Sequence, residues 1–338
     1  MRSRWATSPA MGDCTCTCLR QRSCAGTLLT ADNRPPPVLL PHRCLDLVIG
    51  NAPHENQLLA SDGLGGFTLH VLDGGTRATF AIALADVTSD GWLDIIVGNS
   101  DGVAGDNNLN NQLLVRDASG IWMASDLEGG QQDTYALAIG DVTGDGKLDI
   151  LSFGGNTDNP NRLLMGDGSG GFLASDLEIN SRNTYAVALG DFDGDGRLEV
   201  VVGNRQPNQL LFGFGTGILK TSRLDGDDHS TRAVALGDVN GDSHLDILFA
   251  NFDHANQLLT GDGGNGFTAS DLGGDARWTK AIALGDFNAD GVDDIIVGTS
   301  GHANQLIVVD GTQSITFDLD GGNRATYALA LGDVNADG

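Results

Sequence analysis

The sequence predicts an all-β fold, a β-propeller of four-stranded blades, and three observations carry that prediction. The chain of 338 residues repeats itself six times, an Asp-rich loop recurs between two apolar runs in each copy, and long amphipathic helical periodicity is absent. The first loop Asp of successive copies falls at Asp86, Asp141, Asp191, Asp238, Asp286 and Asp333, which gives spacings of 55, 50, 47, 48 and 47 residues. That period is too long for one hairpin and suits a unit of four strands.

Each strand can be justified in order within one copy. Alternation in TYAVALGD (Thr184 to Asp191) and the compact apolar run LEVVVGN (Leu198 to Asn204) read as the first two strands. NQLLFG (Asn208 to Gly213) and GILKTSRL (Gly217 to Leu224) read as the third and fourth. One such sheet cannot cover both of its apolar faces, so consecutive sheets must pack face to face. A β-sandwich is the rival architecture, but it needs no regular repeat. Here a Thr stands seven residues before every first loop Asp, at Thr79, Thr134, Thr184, Thr231, Thr279 and Thr326.

The repeats enter partway through a unit at LDLVIGN (Leu45 to Asn51) and leave partway through another at YALALGDVNADG (Tyr327 to Gly338). Six units are therefore visible, either a six-bladed ring closed by pairing its last strand with its first or part of a longer propeller truncated at its C-terminus. Residues 1–43 have no repeat character and are expected to be a disordered segment, with the propeller spanning 44–338. All five cysteines (Cys14, Cys16, Cys18, Cys24 and Cys44) lie at or before this boundary, in no recognised zinc spacing.

Composition narrows the function. With 19 Lys+Arg against 45 Asp+Glu the net charge is −26, which argues against nucleic acid and anionic membrane surfaces as partners. No apolar run reaches the 18 residues of a membrane span, and no signal-peptide core is visible at the N-terminus. Much of the acidity is concentrated in the repeated loops, so cations are the first partners to consider.

The complete loops are DVTSDGWLD (Asp86 to Asp94), DVTGDGKLD (Asp141 to Asp149), DFDGDGRLE (Asp191 to Glu199), DVNGDSHLD (Asp238 to Asp246) and DFNADGVDD (Asp286 to Asp294). Carboxylates at alternate positions can converge where Gly permits a sharp turn, and they repel one another unless a cation neutralises them. Oxygen-only donors favour Ca²⁺ over Zn²⁺ or a transition metal. An EF-hand would place Glu twelfth in the loop, yet that position holds Val97, Ser152, Val202, Phe249 and Val297. As a plain turn, a single Asp-Gly would need no metal, but five copies with acids at the first, fifth and ninth positions ask for one.

At these residues the sequence resembles the FG-GAP/VCBS repeat family, the Ca²⁺-binding propeller repeats also found in integrin α-subunit heads. GDVTGDGKLDI and the NQLL and GDGxGGF segments that follow it recur in family order over about residues 45–338. The resemblance implies a propeller, usually seven-bladed, with Ca²⁺ held in the hairpin between the first two strands of a blade. It carries the ligand roles to Asp141, Thr143, Asp145 and Asp149, and to Asp86, Thr88, Asp90 and Asp94 in the preceding loop. In the later loops the matching positions are Asp191, Asp193, Asp195 and Glu199, then Asp238, Asn240, Asp242 and Asp246, then Asp286, Asn288, Asp290 and Asp294. A sixth, incomplete site would hold Asp333, Asn335 and Asp337.

Chain direction puts the metal hairpins at one end of the blades and the more variable loops, including NSDGVAGDNNLNN (Asn99 to Asn111), at the other. Variable loops on a rigid scaffold are where binding usually resides. Nine residues before the first loop Asp, at this variable end, stand Arg77, Gln132, Arg182, His229, Arg277 and Arg324. The arginines can clamp carboxylates or tie blades together, and Trp278 beside Arg277 can stack on a sugar ring. The recurrent Asn of NQLL (Asn56, Asn111, Asn208, Asn256 and Asn304) is expected to satisfy backbone groups. No catalytic motif is present, so the chain reads as a Ca²⁺-stabilised adhesion or recognition module for a protein or glycan ligand, extracellular or surface-exposed. The alternative is a polysaccharide lyase or hydrolase on the same scaffold.

Overall fold

The computed structural model describes residues 16–23 and 43–331, except 52–53, 63–65, 73, 101–109, 118–119, 130–132, 155–160, 178–182, 206, 214–219, 225–228, 253, 273–277, 311–312, 320–321, 323–324 and 330. These residues form six four-stranded antiparallel sheets, each a simple meander in chain order. Two compact units divide them, residues 1–134 with blades one and two, and residues 135–338 with blades three to six. No helix of the described residues is long and apolar enough to cross a membrane.

Blade one comprises β1 (Cys16–Ser23), β2 (Arg43–Ile49), β3 (Gln57–Ser61) and β4 (Phe67–Val71). Blade two follows with β5 (Ala78–Ala85), β6 (Asp94–Ser100), β7 (Gln112–Arg116) and β8 (Trp122–Asp126). Blade three has β9 (Ala136–Gly140), β10 (Asp149–Phe153), β11 (Arg162–Gly166) and β12 (Phe172–Asp176). Blade four has β13 (Thr184–Gly190), β14 (Glu199–Asn204), β15 (Gln209–Phe212) and β16 (Lys220–Arg223). Blades five and six are β17 (Ser230–Gly237), β18 (Asp246–Phe252), β19 (Gln257–Gly261), β20 (Phe267–Asp271), and β21 (Trp278–Gly285), β22 (Asp294–Ser300), β23 (Gln305–Asp310), β24 (Gln313–Asp318).

The expected non-repeat segment up to residue 43 needs one amendment. Cys16–Ser23 is a strand that pairs antiparallel with β2, completing a blade that the repeat pattern enters only at its second strand. An unpaired edge on β2 would leave a row of backbone donors and acceptors open, and β1 takes it up.

Burial across a blade follows the sequence. The second strands are near-continuous apolar runs, and β6, β10 and β14 are buried at every position. The fourth strand β4 is exposed at every position, as expected of an outer edge. Period-two geometry lets one second strand serve two cores. Val200 and Val202 of β14 pack with Leu151 and Phe153 of blade three, while Val201 packs with Ile247 and Phe249 of blade five. Leu248 of β18 then faces Ile295 and Val297 of blade six. In the first unit, Val48 of β2 packs with Ile95 and Val97 of β6. The first strands β9, β13, β17 and β21 of successive blades are neighbours, and so form the inner edge of the second unit.

The recurrent Thr and Asn close the blade end opposite the acidic loops. Thr184 donates its N–H to the Gly154 carbonyl of the preceding blade (3.1 Å) and its hydroxyl to Asn204 Oδ1 (2.7 Å). Thr79 repeats both bonds, to the Asn51 carbonyl and to Asn99 Oδ1, within the first unit. The NQLL asparagines accept the backbone N–H that ends the second strand: Asn56 from Asn51, Asn111 from Asn99, Asn208 from Asn204, Asn256 from Asn251 and Asn304 from Thr299. Their expected scaffold role is met, and it explains why these residues recur with the repeat.

Candidate metal centre

Each of the five described acidic loops joins a first strand to a second strand and turns sharply through two left-handed positions. In the loop 141–149 these are Gly144 (φ 75°) and Gly146 (φ 84°). Where glycine is missing the same conformation persists at a cost, at Ser89 (φ 55°), Ser243 (φ 68°) and Ala289 (φ 60°). The turn is organised around the first Asp. Asp141 Oδ1 accepts the N–H of Gly144 and Asp145, and Oδ2 that of Gly146 at 2.8 Å. Asp86, Asp238 and Asp286 accept the corresponding N–H groups in their loops.

The fifth position points back along the loop. Asp90, Asp145, Asp195, Asp242 and Asp290 each accept the N–H two residues on, from Trp92, Lys147, Arg197, His244 and Val292. At the third position Asn240 and Asn288 accept the N–H of the fifth residue and donate Nδ2 to its carboxylate at 2.9 and 2.8 Å. In the loop 191–199 an acid occupies the third position, and oxygens of Asp191, Asp193 and Asp195 lie within 4.8 Å of one another. Asp193 also accepts Nδ2 of Asn265, from the β19–β20 turn of the next blade, at 2.9 Å. One oxygen of Asp191 is buried with no partner, a lone acceptor aimed away from solvent.

The ninth residue behaves differently. Asp94, Asp149, Asp246 and Asp294 are at most 1% exposed and Glu199 is 3% exposed. Asp149 Oδ2 accepts the N–H of Val142 and Thr143, while Oδ1 accepts that of Gly166 at the end of β11. Asp246 spans Val239 and Gly261, and Asp294 spans Phe287 and Val309, in the same way. In Asp149, Asp246 and Asp294 the ninth carboxyl thus pins the loop to the third strand. In Asp149 the Oδ1 oxygen, with one bond, keeps a further lone pair for another donor or a cation. Asp94 lacks the third-strand bond, and its Oδ1 is buried without a partner.

Burial raises the pKa of Asp94, Asp149 and Asp246, against the pull of their backbone hydrogen bonds. Glu199 is pushed to about 7, first by burial and then by the charges of Asp193, Asp195 and Asp191. Asp293 replaces the leucine that stands eighth in the other loops and is raised as well, by burial and then by Asp238, Asp286 and Asp294. Its backbone N–H reaches the Asp238 carbonyl at 3.3 Å, so it brings a further carboxyl to the loop of blade five.

Asp333, Asn335 and Asp337 lie outside the described residues, as do Arg182, Arg277, Arg324 and most of the Asn99–Asn111 insertion. Arg77 donates to the Asn110 carbonyl at 3.0 Å and pairs with Asp126 at 2.7 Å, a tie within its own blade rather than to the next. Trp278 is half exposed and stacks on Phe252. Sequence reasoning did not single out Asn265, Asp293 or Arg232, since none recurs with the repeat. The signal available for Arg232 was its place directly after a recurrent Thr.

Six four-stranded meander sheets, five of them with an acidic hairpin between their first two strands, define an all-β module of propeller blades. Residues 141–202 and 238–297 match the FG-GAP-like repeat, so the chain carries FG-GAP-like repeats in its second unit, each match spanning two acidic loops and the strands between them. No curated protein matches the sequence. Among solved structures, a lectin of Agrocybe aegerita, studied for recognition of non-reducing terminal N-acetylglucosamine, is similar at 17% identity. That match covers 82% of this chain and 77% of the lectin, with a TM-score of 0.56. BBS1N, solved in complex with ARL6DN and soaked with mercury, is similar at 11% identity over 86% of this chain and 80% of that one, with a TM-score of 0.53. At such identities the likeness is one of fold.

Proposed function

We propose that this chain is a Ca²⁺-stabilised recognition module that works outside the cell and binds a protein or glycan ligand without catalysis of its own. The observation that carries the reading is the loop 191–199. Three carboxylates converge there, their hydrogen-bond partners are backbone N–H groups and the neutral Asn265 amide, and one buried Asp191 oxygen has no partner. Hard oxygen donors at flexible spacing suit Ca²⁺, and a divalent ion relieves both the repulsion and the unpaired acceptor.

Asp191, Asp193, Asp195 and Glu199 would hold the ion in this loop, and the third-position oxygens of Thr88, Thr143, Asn240 and Asn288 would join the carboxylates elsewhere. Exposed loops with few charges per site suit the weak affinities of extracellular modules, which motivates the location. The variable end, rather than the acidic one, supplies the ligand surface.

Differential scanning calorimetry of the chain in Ca²⁺ and in chelator tests the reading. Each site that binds only the folded state adds about 2.7 kcal/mol at a hundredfold excess of Ca²⁺ over Kd, so the melting temperature rises strongly. An unchanged melt removes the metal from the account. In Ca²⁺, a panel of glycans and matrix proteins then identifies the ligand.

A further inference from the structure

The end of the blades opposite the acidic loops carries a run of aromatic and cationic side chains in the second unit. It begins at the residue that follows the recurrent Thr. In β13, β17 and β21 the pairing register slips at this point, between Thr184 and Ala186, Thr231 and Ala233, and Thr279 and Ala281. The extra residue of each bulge is Tyr185, Arg232 or Lys280. A bulged residue leaves the ladder and can be aimed away from the sheet, and bulges concentrate beside functional sites.

The contacts run from blade to blade. The Arg232 guanidinium lies 4.0 Å from the centre of the Tyr185 ring and 5.1 Å from that of Phe252. Phe252 stacks on Trp278 with ring centres 5.0 Å apart, and Lys280 Nζ lies 3.8 Å over Tyr327. Trp278 and Tyr327 are 50% and 58% exposed, so this aromatic surface is open. Because β17 and β21 are neighbours, Arg232 and Lys280 occupy equivalent places on adjacent strands.

Charge makes the surface unusual. The chain has 45 Asp+Glu for 19 Lys+Arg, yet neither Arg232 nor Lys280 makes an ion pair or hydrogen bond among the described residues. Arg232 is half buried, and a guanidinium in that setting has five N–H donors to satisfy. Ring faces hold it flat and pre-oriented, which leaves the donor fork free for a bidentate acceptor.

We propose that this rim binds a carboxylate-bearing saccharide, with Arg232 gripping the carboxylate, Lys280 adding a second positive charge, and Trp278 stacking on the pyranose ring. The inference rests on the recognition reading above and names its ligand class. A cationic ligand is disfavoured, because the ring faces of Tyr185 and Tyr327 already carry cations. A neutral glycan would use the aromatic faces and leave the Arg232 donors unanswered. An acidic peptide could meet the charges but has no use for exposed flat rings arranged as a platform.

The test is calorimetric titration of the full chain in Ca²⁺ with sialyllactose, a hyaluronan tetrasaccharide and trigalacturonate, each beside its carboxyl methyl ester, and with oligoglutamate. At least one acidic saccharide should bind, and its ester should bind at least tenfold more weakly. Arg232→Ala should abolish that binding and Lys280→Gln should weaken it severalfold, with the melt in Ca²⁺ unchanged for the Lys280 variant. The proposal is overturned if no acidic saccharide binds, if acid and ester bind alike, if oligoglutamate binds more tightly, or if both variants bind as the parent does. Should another glycan or a matrix protein still bind independently of Arg232, the recognition reading stands and only this rim assignment fails. If nothing in either panel binds, both fall.

Discussion

The two ends of a blade bury polar groups by opposite means. At the Thr–Asn end most buried groups are neutral and most answer one another, Asp133 and the unpartnered Thr134 hydroxyl apart: Thr231, fully buried, donates to Asn251 Oδ1 and accepts from Asn208 Nδ2, both at 2.9 Å. At the loop end the buried groups are carboxyls whose partners are almost all backbone N–H, and lone acceptors remain on Asp94 and Asp191. A neutral network of this kind needs nothing further, whereas the loops concentrate negative charge against few cationic side chains, chiefly Lys147 beside Asp145 at 3.7 Å. The difference separates an end whose polar groups mostly satisfy one another from an end whose carboxylates the proposed ion would satisfy.

The largest test of this contrast is pH. Glu199 has a folded pKa raised from 4.5 to about 7, so the folded metal-free protein holds its proton more tightly than the unfolded chain. Its contribution is full below about pH 4.5 and is lost as pH rises through 7, up to about 3 kcal/mol in total. Melting in chelator should therefore fall between pH 5 and 8, and Glu199→Gln should flatten much of that slope. A slope unchanged in the variant would place the proton elsewhere.

Next comes the neutral end. Thr231→Val leaves Asn208 Nδ2 and Asn251 Oδ1 buried with a partner lost, at a cost of about 1–3 kcal/mol. Urea unfolding should give the same loss in Ca²⁺ and in chelator. A loss seen only in chelator would couple the two ends and break the comparison.

The smallest effect concerns the turn itself. Ser243 holds a φ of 68° at a position where the other four described loops have glycine at 84–88°, Gly91, Gly146, Gly196 and Gly291. Ser243→Gly should stabilise the protein by up to about 1 kcal/mol, partly offset by the greater freedom of the unfolded chain. A lower melting temperature for the variant would show that the serine hydroxyl has a role in the loop.

Much of this was legible in the sequence because the repeat reports local chemistry. The four strands read from Thr184 to Leu224 appear as β13 to β16 with ends displaced by at most three residues. The acidic loops were legible for the same reason, since Asp at the first and fifth positions builds the turn from contacts two to five residues away. What escaped depends on distance or on departure from the repeat. The Asp149 bond to Gly166 joins residues 17 apart, and no local pattern announces it. Cys16–Ser23 lacks the repeat's signature and becomes a strand only because β2 offers an edge. Arg232 and Lys280 sit where the other copies carry an aromatic residue, Phe80, Tyr135, Tyr185 and Tyr327, so they gained meaning only when the bulges placed them beside aromatic rings.

The central claim, that the acidic end is completed by Ca²⁺, is tested most directly by titrating Ca²⁺ into the chelator-stripped chain and counting bound ions. Five complete loops predict about five Ca²⁺ per chain, with Asp191→Asn lowering the count by one and leaving the other sites intact. A folded chain, its β-sheet circular dichroism unchanged, that takes up no Ca²⁺ at millimolar concentration would contradict the account.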